Sequence, residues 1–231
     1  MYQKIERFYR YLVFTEKKIT MANQNEAYQY FHPGCLETIP FIGSPKVTDQ
    51  MFDAFREKLL TNITENTAPG KLDIHVTDLI MKSILITGPR LLKRGGEKLL
   101  HKKGKDNIIR YNLINTCILL FSEKQMMYFN CCYDLISEKV SMVSTEEFFY
   151  NDIVSTSTDT IETTYEDDEG KIQKLEVADC FRVRTSGGTA IEVVLTSPKL
   201  LEIWGGGVIP TDYIEDAISK IRKVLRDKKQ G

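Results

Sequence analysis

The sequence predicts an α+β protein, with a helical N-terminal region followed by a bent antiparallel β-barrel that a C-terminal amphipathic helix closes. Three observations indicate this class. Asn107 to Phe129 holds two apolar runs separated by a polar tetrapeptide, which is typical of a hairpin. Short runs that alternate apolar and polar residues follow it as far as Leu195, as in a sheet with one wet face. From Thr211 onward, apolar residues recur at spacings of three and four, as on one face of a helix.

The N-terminal region is predicted to be helical, with a break. Met1 to about Lys18 carries aromatic and aliphatic residues at helical spacing. Thr20 to Lys46 is rich in Pro and Gly and predicts a long connection. A second helix is expected from about Thr48, which is placed to cap it, and Asn62 to Gly70 is expected to end it. The apolar segment from Ile74 to Ile86 fits either a helix or a strand.

The β domain is predicted to follow from residue 106, which divides the chain into a helical region with a basic linker at 1–105 and a β domain with its helix at 106–231. Its clearest strand alternates Phe181 and Val183 with Arg182 and Arg184 before a Gly-Gly turn. In the closing helix the predicted buried face holds Ile214, Ala217, Ile218, Ile221, Val224 and Leu225.

Composition favours a reducing compartment. The five cysteines are irregularly spaced, which does not suggest a disulfide framework. The first twenty residues lack the apolar core of a signal peptide, and no window approaches the roughly 18 apolar residues of a membrane span. We therefore expect a cytoplasmic protein, peripheral to a membrane at most.

Charge is distributed unevenly along the chain. Between Lys82 and Arg110 nine basic residues face two acids, a net charge of +7, whereas the whole chain carries −1. Lysines and arginines near glycines can hold phosphates through charge and free backbone N–H groups. The candidate anion-binding residues are Arg90, Lys93, Arg94, Lys98, Lys102, Lys103, Lys105 and Arg110. The alternative is a solvated loop, balanced by ten acids between Thr145 and Ala178.

The C-terminal half resembles the pleckstrin-homology-like (PH-like, GRAM-like) domains of bacteria. The resemblance covers about Asn107 to Asp227 and is carried by Ile118 to Tyr128, Tyr150 to Val154, the late Gly-Gly hairpin and the closing helix. The phrases Glu147 to Val154, Thr185 to Thr189 and Gly205 to Thr211 are also similar to an uncharacterised family of bacterial soluble proteins. Lipid-binding members of the fold bind phosphates, and the resemblance implies that the corresponding residues of this chain lie near its basic segment. The quoted phrases are turns and core strands and carry no known chemistry.

No motif predicts catalysis. His32-Pro33-Gly34-Cys35 resembles half of a metal site, but the second half is missing. Cys131 and Cys132 are better explained as buried thiols than as zinc ligands or nucleophiles. We therefore expect no cofactor, no metal and no enzyme, but a module that binds another protein through a sheet edge or its N-terminal helices. The alternative is a peripheral binder of anionic lipid headgroups through residues 90–110. Nucleic acid is disfavoured by the pI near 6.3, and the oligomeric state is left open.

Overall fold

The computed structural model describes residues 25–32, 46–92, 97–167, 169–188 and 190–229. The chain divides into two compact units, 1–56 and 57–231. The helix predicted for Met1 to Lys18 lies outside the described residues, as does most of the Pro- and Gly-rich connection.

The first unit contains helix α1 (Glu26–Phe31) and the beginning of helix α2 (Asp49–Asn62). The N–H of Met51 donates to Thr48 Oγ1 over 3.3 Å, so the predicted cap of α2 is present. Tyr30 is buried, its ring stacks on Phe52 with centroids 4.5 Å apart, and its hydroxyl donates to Asp49 Oδ1 over 2.8 Å. Aromatic packing thus joins helix α1 to the start of helix α2.

Helical structure continues beyond α2, through a π-helical turn (Ile63–Thr67) and the short helix α3 (Ala68–Lys71). The prediction that Asn62 to Gly70 would end the helix is therefore wrong. Pro69 is tolerated because it lies in the first turn of α3, where a backbone N–H has no helical partner to lose. Burial of Ile63 and Ala68 stabilises this continuation.

The second unit is built mainly from strands. In chain order they are β1 (Ile84–Pro89), β2 (His101–Lys103), β3 (Ile109–Tyr111), β4 (Leu113–Phe121), β5 (Gln125–Asp134), β6 (Lys139–Phe149), β7 (Ile153–Glu166), β8 (Ile172–Thr185) and β9 (Ala190–Thr196). Helix α4 (Pro198–Ile203) and helix α5 (Tyr213–Lys229) follow.

The strands form a four-stranded sheet in the order β1-β4-β5-β6, a three-stranded sheet in the order β7-β8-β9, and a ribbon of β2 and β3. All these pairs are antiparallel, and the hairpins predicted for β4-β5 and β8-β9 are confirmed. The α+β class is thus correct. Among the described strands no ladder joins the two larger sheets, and no closed barrel is found.

The four-stranded sheet begins upstream of the predicted boundary at 105/106. Strand β1 pairs along its length with β4, from Ile84 opposite Leu119 to Pro89 opposite Ile114. The ambiguous segment from Ile74 to Ile86 thus ends in a strand, preceded by a single 3-10 turn (Val76–Asp78). Residues 84–89 and 101–103, placed by sequence in the helical region, are strands.

One apolar core joins both larger sheets and helix α5. Its sheet members include Cys117 and Phe121 of β4 and Phe181 and Val183 of β8. Helix α5 contributes the face predicted from its spacing, with Ile221 fully buried. At the edge of this core β1 comes so close to β9 that a Cβ on Gly88 would lie 1.8 Å from the carbonyl oxygen of Val194. Only glycine permits this approach of two backbones.

Candidate binding groove and the basic segment

Arg90 and Arg110, the two arginines at the ends of the basic segment, are buried. Arg90 donates from Nη1 to Glu97 over 3.0 Å and from Nε to the carbonyl oxygen of Leu92 over 2.8 Å. Arg110 holds Asp106 with two parallel hydrogen bonds, of 2.9 and 2.7 Å. Such bidentate pairing occupies the guanidinium fork that would bind a phosphate. Both arginines therefore stabilise the conformation of the basic segment itself.

The electrostatics of this pair are visible at Asp106. Hydrogen bonds from the Arg110 guanidinium hold the pKa of the Asp106 carboxyl far below its usual range, with the N–H of Ile108 adding to the effect. The carboxylate is therefore charged at any physiological pH. It neutralises one of the cations counted in the predicted anion site.

The lysines of the segment lie on and around the β2-β3 ribbon. Lys98, Lys103 and Lys105 are exposed and Lys102 is half-buried. The Lys103 ammonium donates to the carbonyl oxygen of Gly205 over 2.8 Å. Lys93 and Arg94 lie outside the described residues. The described part of the predicted site is thus a lysine ribbon whose flanking arginines are paired internally.

The ribbon is docked by an aromatic contact rather than left mobile. The His101 ring stacks on Trp204, with centroids 4.8 Å apart and planes 13° from parallel. Trp204 is buried, and its indole N–H donates to Tyr165 Oη over 3.3 Å. The run Trp204-Gly205-Gly206-Gly207 is typical in sequence of a flexible loop, but its Trp204 anchors the ribbon.

Four thiols, those of Cys117, Cys131, Cys132 and Cys180, are free and buried. Burial raises the pKa of Cys131 and of Cys180 to about 12 and that of Cys117 still further. Thiols of this kind are poor nucleophiles and poor metal ligands, since the thiolate is the reactive form. Within the described residues no group of three or more His, Cys, Asp or Glu is arranged to hold a metal ion. Cys35 is outside them.

A groove of about 480 Å³ runs between the start of β7 and the C-terminal part of α5. Its strand side is formed by residues 153–156 and its helix side by Arg222, Leu225, Arg226 and Lys229. Strand β7 is an edge strand of its sheet, paired only with β8. A cleft of this volume beside a sheet edge is within the size range of protein ligand sites.

A β-bulge shapes the strand side of the groove. Ile153 lies opposite Thr185 and Ser155 lies opposite Arg184, so Val154 is an extra residue with no partner in the ladder. Its side chain is 66% exposed, whereas Ile153 beside it is fully buried. Bulges on edge strands commonly re-aim a side chain. Here the result is an apolar group presented at the groove.

Cations line the helix side. Arg222 donates from Nη2 to the carbonyl oxygen of Thr156 over 3.0 Å, and the Lys229 ammonium donates to the carbonyl oxygen of Ile153. Arg226 lies on the same helix face and is exposed. None of these three cations forms an ion pair with a carboxylate in the described part of the chain. Two lysines on the same helix do form ion pairs, Lys220 with Asp216 over 2.6 Å and Lys228 with Glu123.

In the sequence Arg222 and Arg226 fall opposite the apolar face of α5, and the sequence predicts no site there. The signal available was their spacing with Lys229, at intervals of four and three residues, which aligns three cations on one helix face. No sequence pattern marks the bulge at Val154, which in sequence looks like part of an ordinary apolar strand. The groove depends on how α5 crosses β7, which only the fold provides.

Comparison of the chain with protein-family models, with curated proteins and with solved structures finds no match. No helix among the described residues is long and apolar enough to cross a membrane.

Proposed function

We propose that this chain is a non-enzymatic protein-interaction module, and that residues 106–231 together with strand β1 form a PH-like domain. Support for the fold comes from element order, because the two larger sheets together supply seven antiparallel strands and α5 follows them as an amphipathic helix in their core. Support for the function comes from the groove beside β7. Fold alone does not give function, so the proposed function depends on the chemistry of this groove.

The observation that carries the proposal is an edge strand with a re-aimed apolar side chain beside a cleft. An extended peptide adds to such an edge by main-chain hydrogen bonds, which give affinity, while side-chain pockets give specificity. Val154 offers the peptide apolar contact, and β7 continues beyond it as an edge until Glu166, whose N–H donates to the carbonyl oxygen of Leu91 over 2.9 Å. A partner segment would thus become a fourth strand of the β7-β8-β9 sheet.

Selection of peptides from a random displayed library on the intact protein tests this proposal. We expect enriched peptides whose binding is lost in Val154→Trp, because the larger ring fills the groove. Val177→Trp is the matched control, since Val177 is an exposed valine on β8 outside the groove. Amide resonances of β7 and α5 should shift on binding. Failure to enrich any peptide, or binding that is indifferent to Val154→Trp, would refute the groove as the interaction site.

A second candidate is binding of anionic lipid headgroups, favoured by the exposed lysines on the β2-β3 ribbon. Each basic residue near an anionic surface contributes about 1 kcal/mol, and the attraction weakens with salt. Reversal of Lys93, Arg94, Lys102 and Lys103 to Glu should abolish sedimentation with vesicles containing phosphatidylserine. Absence of sedimentation by the unmodified protein at low salt would eliminate this candidate and leave the groove proposal unaffected.

A further inference from the structure

We infer that the partner segment taken by the β7-α5 groove is acidic, an extended peptide whose carboxylates pair with Arg222, Arg226 and Lys229. This inference rests on the proposed function, since it names the chemistry of the segment that adds to β7. It depends on the positive charge of the groove, whereas strand addition depends on the edge of β7.

The helix side of the groove concentrates positive charge that the described structure does not neutralise. Of the cations in the second half of α5, Lys228 is matched by Glu123. Of the three that line the groove, Arg222 and Lys229 donate only to backbone carbonyl oxygens, which carry no net charge, and Arg226 forms no ion pair with a described carboxylate. Asp152, which directly precedes the groove residues of β7, and Asp227 on α5 form no ion pair with these three cations. Three like charges beside one cleft favour an anionic occupant.

A peptide that adds to β7 would replace the hydrogen bonds that now join helix α5 to this strand. Arg222 and Lys229 now donate to the carbonyl oxygens of Thr156 and Ile153. Peptide N–H groups adding along β7 would take over those acceptors, which frees the two cations for carboxylates of the same peptide. A hydrogen bond with an ionised donor or acceptor is roughly twice as strong as one between neutral groups, so the two bonds that would be displaced are already charge-assisted. A neutral peptide would replace them with weaker bonds and leave two cations without acceptors, whereas an acidic peptide would supply carboxylates to both.

The apolar and strand-like parts of the groove favour a peptide over other anions. Val154 and Leu225 both line the cleft, so the site has an apolar part as well as its cations and edge strand. An edge strand recognises an extended peptide through main-chain hydrogen bonds, which a membrane surface does not offer. The combination of strand edge, apolar group and cation row fits an extended acidic segment that carries at least one apolar side chain.

Three displayed libraries of equal length test the inference, one rich in Asp and Glu, one with Asn and Gln in their place, and one rich in Lys and Arg. We expect the acidic library to yield binders that need Val154 and whose affinity falls as salt is added. Arg222→Gln with Arg226→Gln should weaken them on the order of tenfold or more, as for lost charge-assisted hydrogen bonds. Lys220→Gln with Lys223→Gln, on the same helix but outside the groove lining, should leave them within about twofold.

The outcomes separate the inference from the proposed function. Neutral peptides that bind as tightly as acidic ones, and still depend on Val154, would overturn the acidic partner while the strand-addition site stands. No Val154-dependent binder in any library would overturn both. Sedimentation with phosphatidylserine vesicles that requires Arg222 and Arg226, without any acidic peptide binder, would overturn the inference in favour of a membrane surface.

Discussion

Truncation of Ile221 to alanine measures how much of the second unit depends on helix α5. Ile221 is fully buried in the core shared by the helix and both larger sheets. Removing its three outer carbons costs about 0.8 kcal/mol each in lost transfer free energy, hence about 2.4 kcal/mol before any cavity forms. A residual cavity among rigid strands adds to this, so we expect a loss of about 2 to 5 kcal/mol for Ile221→Ala. Leu225→Ala, at the edge of the same stripe, should fall near the lower end of that range.

Urea unfolding followed by Trp204 fluorescence and far-UV circular dichroism measures these losses. Lys223→Ala is the matched control on the exposed face of the same helix and should change stability by less than about 0.5 kcal/mol. If Ile221→Ala is as mild as Lys223→Ala, α5 does not complete the core and the packing described above is refuted.

Three further predictions concern backbone contact, thiols and charge. Gly88→Ala should destabilise the protein by about 1 to 3 kcal/mol in the same urea assay, because its Cβ would lie 1.8 Å from a backbone carbonyl oxygen. Gly70→Ala is the control and should not destabilise the protein, because nothing lies within 4 Å of its Cβ. The four buried thiols should resist iodoacetamide at neutral pH and react after denaturation, and fast labelling of the native protein would show that they are exposed. The pKa of Asp106 is lowered in the folded protein, so its ion pair with Arg110 contributes fully to stability above the ordinary carboxyl pKa of about 3.9, and this contribution is lost as the pH falls further. The difference in unfolding free energy between the unmodified protein and Asp106→Asn should therefore narrow in acid. A difference that is constant with pH would exclude the ion pair as its source.

Local patterns predicted the parts of the fold that obey a single period. The helix from Tyr213 was predicted because its apolar residues recur every three or four positions, and the β8-β9 hairpin because Phe181 and Val183 alternate with arginines around a Gly-Gly turn. In both, one face is buried and the other is wet, so periodicity and burial coincide. The hairpin of β4 and β5 was found differently, from its polar break, since both its faces are largely buried.

The sequence predicted less where apolar residues fall on both faces of an element, or where a contact depends on residues far away along the chain. Burial alternates along most of strand β1, but Leu85 on the less buried face is as apolar as Ile84 and Ile86, so the residue types do not alternate and the segment could not be distinguished from a helix. Arg90 and Arg110 were counted as surface cations because nothing local shows that Glu97 and Asp106 turn towards them. The groove could not be predicted, since it combines a bulge with a helix that lies elsewhere in the sequence.

The close crossing at Gly88 also constrains the order in which the chain folds. Strand β1 is synthesised early, but the backbone it meets there, at Val194 of β9, is synthesised only after all the other strands. Contacts between residues so far apart are slow to form, because the intervening loop must lose its conformational entropy first. During synthesis β1 and β4 therefore pair with one apolar face still uncovered. A nascent chain in this state exposes a hydrophobic sheet surface to chaperones, and that surface is covered only when β9 and then helix α5 have been synthesised.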